Sequence, residues 1–301
     1  MKNDSISFEK EWEDITPLSQ FSDQVQILKI KYTKEEKKIQ KIFLGVLQTK
    51  EISLRVYNLT SKMIENFPSN YVAWLIRRKC LNEVKEINAL DELNWLDKQI
   101  EENQKNYQIW HHRKLLIEKL NDSSHEKKVL DNIFLSEPKN FHAWSHRIWM
   151  IRRFNNTEGE FDFIEKMLKD DIKNNSVWNY RFFLVQYINN NKIDKNIIEK
   201  EIKYAIDKIK ICYINECPYC YIRGYINKFG YKYGDFLFIK EELEKILEKN
   251  KNNSYGLNLL LDYYEEEKYK EKFNETIEQL IKVDFIRKKI LWMEKGKFFF
   301  L

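Results

Sequence analysis

Lys105-Asn-Tyr-Gln-Ile-Trp-His-His-Arg113 decides the reading of this chain, because its frame recurs at nearly constant spacing. Anchored on tryptophan, the other copies are Ser69-Asn-Tyr-Val-Ala-Trp74-Leu-Ile-Arg77, Lys139-Asn-Phe-His-Ala-Trp144-Ser-His-Arg147 and Lys173-Asn-Asn-Ser-Val-Trp178-Asn-Tyr-Arg181. Each has Asn four residues before Trp and Arg three after it. The anchors lie at 74, 110, 144 and 178, a period that signals stacked supersecondary units. A degenerate fifth copy, Asn215-Glu-Cys-Pro-Tyr219, puts Tyr219 in the anchor place, and a fainter sixth lies at Asn252-Asn-Ser-Tyr255. Regularity decays towards both ends, as expected where terminal units cap a stack.

Seven Gly and four Pro in 301 residues leave little turn chemistry for hairpins of strands, so the chain reads as all-α. Hydrophobic residues at 43% and aromatic residues at 15% rule out a disordered chain. Fifty-two Lys and Arg against 47 Asp and Glu leave a net charge of +5, and no contiguous basic patch with interleaved aromatics suggests nucleic acid as a partner. No run approaches the ~18 apolar residues of a membrane span, and Met-Lys-Asn-Asp-Ser lacks the apolar core of a signal peptide. Cys80, Cys212, Cys217 and Cys220 make no disulfide framework for a chain of this size. A cytoplasmic protein is the expectation.

The expected architecture is an α-α superhelix of stacked antiparallel helical hairpins, a crescent-shaped, right-handed solenoid like a tetratricopeptide array. Residues 1–35 form an arm with Trp12 as its anchor, and residues 36–301 form a single helical repeat domain. Hairpins centre near 54–84, 91–120, 124–154, 160–189, 196–229, 236–266 and 270–296. Asn is a favoured N-cap, so Asn70, Asn106, Asn140 and Asn174 start the second helix of their hairpins. Trp and Arg three apart share a helix face, where the guanidinium can stack on an indole or reach a neighbouring unit's carboxylate. Equivalent corners then line one rim about 10 Å apart, beside a concave face rich in Trp and Tyr.

Lys105 precedes the Asn106 cap, at the positive end of a helix whose unpaired N–H groups suit an anion such as diphosphate. Tyr107 adds a phenol, Lys139 and His142 can converge from the next corner, and Gln108 can donate to a carboxylate. The alternative is plain: a solvated lysine and a packing tyrosine. Two other patterns invite a chemical reading. His142 and His146 are four apart but lack the glutamate of the metalloprotease helix motif. Cys217-Pro-Tyr-Cys220 has the spacing of a redox pair without the preceding strand that such a site needs.

Taken together, the Asn-Tyr-x-x-Trp-x-x-Arg frame resembles the prenyltransferase α-subunit repeat family. The resemblance extends to the α subunit shared by farnesyltransferase and type I geranylgeranyltransferase, through Glu11-Trp-x-Asp14-Ile-x-Pro17, Gly45-Val-Leu-Gln48 and Asp284-x-Ile286-Arg287-Lys288. It implies a heterodimer with a β subunit that carries a catalytic zinc and most of the lipid pocket. That heterodimer transfers a farnesyl or geranylgeranyl group from its diphosphate, with magnesium, to the cysteine of a C-terminal CaaX sequence. By motif position the resemblance gives Lys105 contact with the diphosphate and a part in the chemical step, with Tyr107 beside it. It gives Gln108 the peptide's terminal carboxylate, Tyr71 the pocket for the last CaaX side chain, and His142 a place near the diphosphate. Phe141 stands where the family usually has Tyr, and Tyr219 replaces a Trp. Two rivals remain, a Rab geranylgeranyltransferase α subunit and a non-enzymatic helical-repeat adaptor.

Overall fold

The computed structural model describes residues 10–19 and 31–298, with side chains described to residue 293, so much of the expected arm lies outside the described residues. Two compact units make up the chain, Met1–Phe154 and Asn155–Leu301. All regular structure among the described residues is helical.

The first unit holds α1 (Lys34–Thr49), α2 (Leu54–Asn66), α3 (Tyr71–Glu83), α4 (Ala89–Glu102), α5 (Tyr107–Leu120), α6 (Glu126–Ser136) and α7 (Phe141–Phe154). The second holds α8 (Glu160–Asp170), α9 (Asn175–Ile188), α10 (Lys195–Ile211), α11 (Glu216–Phe229), α12 (Phe238–Lys249), α13 (Ser254–Glu266), α14 (Lys270–Val283) and α15 (Lys288–Phe298), with a 3-10 turn at Tyr233–Phe236. Consecutive helices pair as hairpins, α2 with α3, α4 with α5, α6 with α7 and onwards. Within each unit the second helices of neighbouring hairpins also touch, α3 with α5, α5 with α7, and α9 with α11. The expected hairpins are all present.

The frame's asparagine explains how one hairpin registers on the last. Asn106 Oδ1 caps α5 by accepting from Gln108 N at 2.9 Å, while its Nδ2 donates to Pro68 O, one corner back, at 2.6 Å. Asn215 repeats this, capping Cys217 N at 3.1 Å and donating to Ile172 O at 2.8 Å. The anchor indole closes the same corner. Trp74 donates to Pro68 O at 2.8 Å, Trp110 to Gln104 O at 2.7 Å, Trp144 to Pro138 O at 3.0 Å and Trp178 to Ile172 O at 3.0 Å, each six residues back. A buried indole needs a partner for its N–H, and the turn carbonyl before the helix supplies it. Tyr219 keeps that function without an indole, since its hydroxyl donates to Tyr213 O at 3.0 Å, again six back, and accepts from Asn253 Nδ2 at 2.7 Å.

These anchors are core residues. Trp74, Trp110, Trp144 and Trp178 are all buried, which corrects the expectation of a concave face rich in exposed tryptophan. The aromatics that start the second helices of the first unit, Tyr71, Tyr107 and Phe141, are exposed instead. A charged side chain next to an indole must find a countercharge at that depth, and each frame arginine does. Arg77 on α3 donates to Glu92 on α4 from Nε at 2.6 Å and Nη2 at 2.5 Å, and its guanidinium lies 3.7 Å over Trp95. Arg113 binds Glu126 through Nε at 2.9 Å and Nη2 at 2.6 Å, and Arg181 binds Glu201 at 2.8 and 3.0 Å.

Residues 10–19 pack against α1 and α2. Trp12 and Ile15 are buried, and Arg55 on α2 sits 4.7 Å over the Trp12 ring while pairing with Asp14 at 2.7 Å. Gly45 on α1 permits the approach, because a Cβ there would meet the Thr16 carbonyl oxygen and come within 2.7 Å of Ile15 Cγ2.

Candidate functional site

A cleft of about 800 Å³ opens in the first unit at the corners before α3 and α5. Its lining includes Tyr71, Lys105, Tyr107 and Gln108, four of the residues singled out by sequence, together with Glu101, Glu102 and Glu137. Local chain structure explains the gathering. The α4–α5 turn closes with Asn106 N donating to Asn103 O at 2.9 Å, so Lys105 projects just ahead of the helix and Tyr107 is its first residue. Tyr71 holds the same position on α3, and the in-phase stacking brings the two rings to 5.7 Å between centroids.

Lys105 and Gln108 at the cleft already have partners. Lys105 Nζ lies 2.7 Å from Glu137 Oε1, with the lysine side chain 75% exposed and the glutamate 35%. Glu137 is the C-cap of α6, and its Oε2 accepts from Asn140 Nδ2 at 3.3 Å. Gln108 is buried, with Oε1 accepting from Arg78 Nη1 at 3.4 Å. Lys139 and His142 are not among the residues lining this cleft, so the expected convergence of both corners on Lys105 is not seen. Lys139 is exposed at the corner before α7, and half-buried His142 is in that helix's first turn, its ring 5.7 Å from Phe141.

A buried ion network runs through the helices of the first unit. Glu92 accepts from Arg77 and, at 2.6 Å, from His112 Nε2 on α5; Glu126 accepts from Arg113 and, at 2.6 Å, from His146 Nε2 on α7. One carboxylate therefore staples three successive helices. Burial works against these carboxyls ionising, but the histidine hydrogen bond and the arginine charge outweigh it and hold Glu92 and Glu126 at about 2. Burial pushes His112 and His146 below the usual histidine value, and the positive charge of the neighbouring guanidinium lowers them further against the raising pull of the carboxylate. Each histidine is then neutral, with Nε2–H donating. In the second unit tyrosine takes this place, with Tyr180 donating to Glu160 and Tyr221 to Glu201, both at 2.6 Å.

His146 thus faces Glu126 and is committed to that network, leaving the His142–His146 spacing without a shared target. Among the described residues no group of three or more His, Cys, Asp or Glu side chains is placed to hold a metal ion. Cys217 lies inside the first turn of α11, where burial pushes its thiol up to about 11, away from thiolate chemistry. The sequence reading missed Glu137 and the stapling glutamates. Both had a signal: an acid seven residues before the anchor in the third and fourth frames, Glu137 and Asp171, and, from the second frame on, a glutamate twenty residues before the position two after the anchor, as in Glu92–His112, Glu126–His146, Glu160–Tyr180 and Glu201–Tyr221.

Stacked helical hairpins with a cap, an anchor and an arginine staple in each unit define a class of α-helical repeat subunit. The protein prenyltransferase alpha subunit repeat matches residues 54–84, 89–120, 123–154 and 157–188, and the chain belongs to that family. Its fold is that of a Candida albicans protein geranylgeranyltransferase-I complexed with GGPP, with a TM-score of 0.84 and 30% identity over 95% of this chain and 98% of that one. A Candida albicans protein farnesyltransferase/geranylgeranyltransferase type-1 subunit alpha is 34% identical over 107 residues, 36% of this chain and 35% of that protein. Its Schizosaccharomyces pombe counterpart is 36% identical over 115 residues, 38% of each chain. The aligned segments therefore span little more than a third of these two relatives.

Proposed function

We propose that this chain is the α subunit of a heterodimeric CaaX protein prenyltransferase. The heterodimer transfers a farnesyl or geranylgeranyl group from its diphosphate to the cysteine of a C-terminal CaaX sequence. The observation that carries this reading is the meeting of Tyr71, Lys105, Tyr107 and Gln108 at one cleft, beside a capped helix N-terminus. The membership of the family and the names of its relatives point the same way. The reading includes a β subunit as partner, one repeat array as the functional body of this chain, and a cytoplasmic location. No helix among the described residues is long and apolar enough to cross a membrane.

In this mechanism the thiolate attacks C1 of the isoprenoid and negative charge grows on the departing diphosphate. Lys105, three-quarters exposed at the cleft, offers that charge a fixed cation, and Tyr107 offers a phenolic donor. The positive end of α5 adds to the same field. Gln108 holds the peptide's terminal carboxylate, Tyr71 borders its last side chain, and His142 and Lys139 contribute from the neighbouring corner as the peptide and diphosphate span it. The zinc belongs to the partner subunit and lowers the substrate thiol's pKa when bound, and magnesium travels with the diphosphate. No metal ligand is asked of this chain.

The test is reconstitution. The tagged chain, co-expressed with candidate β subunits, is purified and offered a CaaX peptide with each isoprenoid diphosphate. A stable heterodimer that forms the thioether supports the reading, and the preferred diphosphate names the enzyme. Stable complexes with no transferase activity would move the adaptor to first place, and activity on Rab proteins with an escort protein would favour the other transferase.

A further inference from the structure

We propose that Glu137 is a positioning residue for Lys105, an inference that rests on the reading of Lys105 as the diphosphate's cation. The cleft lining carries three carboxylates, Glu101, Glu102 and Glu137, and one ammonium, that of Lys105, which pairs with Glu137. A free lysine there would sample many rotamers on a flexible stem, some of them turned away from the substrate. Glu137 fixes one of them through its 2.7 Å contact with Nζ.

The carboxylate is itself held. Its residue caps α6, with the backbone N–H donating to Ile133 O at 2.8 Å and the carbonyl accepting from Asn140 N at 3.0 Å. Its second oxygen accepts from Asn140 Nδ2, and Asn140 is the asparagine whose Oδ1 caps α7 by accepting from His142 N and Ala143 N at 3.0 Å. Lys105 at one corner is thereby tied to the cap of the next hairpin. An ammonium carries three N–H donors; Glu137 takes one and leaves two for phosphate oxygens. Charge stabilisation works best when the donor needs no rearrangement as the charge develops. The surface exposure of the pair means that it adds little to folding stability, which leaves its orienting effect as its main consequence.

The experiment is a double-mutant cycle on the heterodimer, with a CaaX peptide and its preferred isoprenoid diphosphate, reading kcat and the peptide KM separately. Glu137→Gln should lower kcat about 10-fold, the low end of what removing a partner that orients a functional side chain costs, with the peptide KM unchanged. Glu137→Asp should retain part of the rate. In a Lys105→Ala background Glu137→Gln should cost nothing further, which a merely structural role would not produce. Wild-type or faster turnover by Glu137→Gln, or losses that add to those of Lys105→Ala, would overturn the inference while leaving the role of Lys105 intact. Wild-type turnover by Lys105→Ala would instead overturn the reading on which it rests.

Discussion

Single residues in this chain are tuned to a repeated local task. Arg113 shows the cost of failure most directly, because it and Glu126 are fully buried and satisfy each other. Arg113→Met should destabilise the chain by about 3–5 kcal/mol, the usual effect of orphaning a buried ion, read as a lower urea midpoint. Tyr219→Phe is gentler. It leaves Tyr213 O and Asn253 Nδ2 without the phenol that serves both, and should cost about 1–3 kcal/mol. An unchanged midpoint in either variant would contradict the assignment. Much at this scale was legible: the asparagine caps follow from residue type and position, and the arginine's need for a carboxylate follows from its place beside a core indole. The identity of Glu92 or Glu126 as that carboxylate was harder to see, since the pairing crosses between hairpins with spacings of 15 and 13 residues. The rotamer that sends Lys105 towards Glu137 was invisible, because exposed lysine side chains follow their neighbours and not a periodic pattern.

At the scale of elements, the staples of the first unit use histidine where those of the second use tyrosine, and the two halves should differ in pH response. His112 meets Glu92, with Arg77 and Arg78 nearby, and His146 meets Glu126, with Arg113 and Lys114 nearby. Both histidines are held below their ordinary 6.5 when folded. As pH falls through 6.5 the unfolded chain takes up protons that the folded chain refuses, so stability present at neutral pH is lost. Glu92 and Glu126, lowered from 4.5 to about 2, add a second loss as pH falls below 4.5. Urea midpoints should therefore drop between pH 7.5 and 5.5, and His112→Gln with His146→Gln, which keeps an N–H donor, should flatten that drop. An equal drop in the double variant would contradict the account. Gly45 offers a second element-scale test. Gly45→Ala should dislodge the arm from α1 and move Trp12 towards solvent, seen as a red shift of its fluorescence; an unshifted spectrum would show that the arm tolerates a Cβ there. The hairpins themselves were readable from the period alone, since a 34-residue repeat with one cap and one anchor fixes where each second helix begins. The expectation of exposed tryptophans failed because the frame's indoles serve the corner carbonyls inward, leaving the first helical residue, Tyr71 or Tyr107, to face out.

Considered as a whole molecule, the chain exposes apolar side chains that a partner would cover. Tyr71, Val72, Leu75 and Phe141 in the first unit are 42–76% exposed, and Phe285 and Ile286 in the second exceed 80%. Exposed apolar surface on this scale marks an interaction face or an aggregation liability. Expressed alone the chain should self-associate, and co-expression with the proposed β subunit should restore a single species in sedimentation; a stable isolated monomer would contradict this. Family and architecture were legible here because several independent segments carry the pattern in order. The choice between isoprenoids was not, because the resemblance assigns most of the lipid pocket to the partner. The proposed role of Lys105, stabilising charge on the leaving diphosphate, is read in single-turnover transfer by the Lys105→Ala heterodimer. The account predicts an intact heterodimer whose transfer rate falls by about 10²-fold or more, as when an oxyanion donor is removed, while wild-type single-turnover rates in that variant would contradict it.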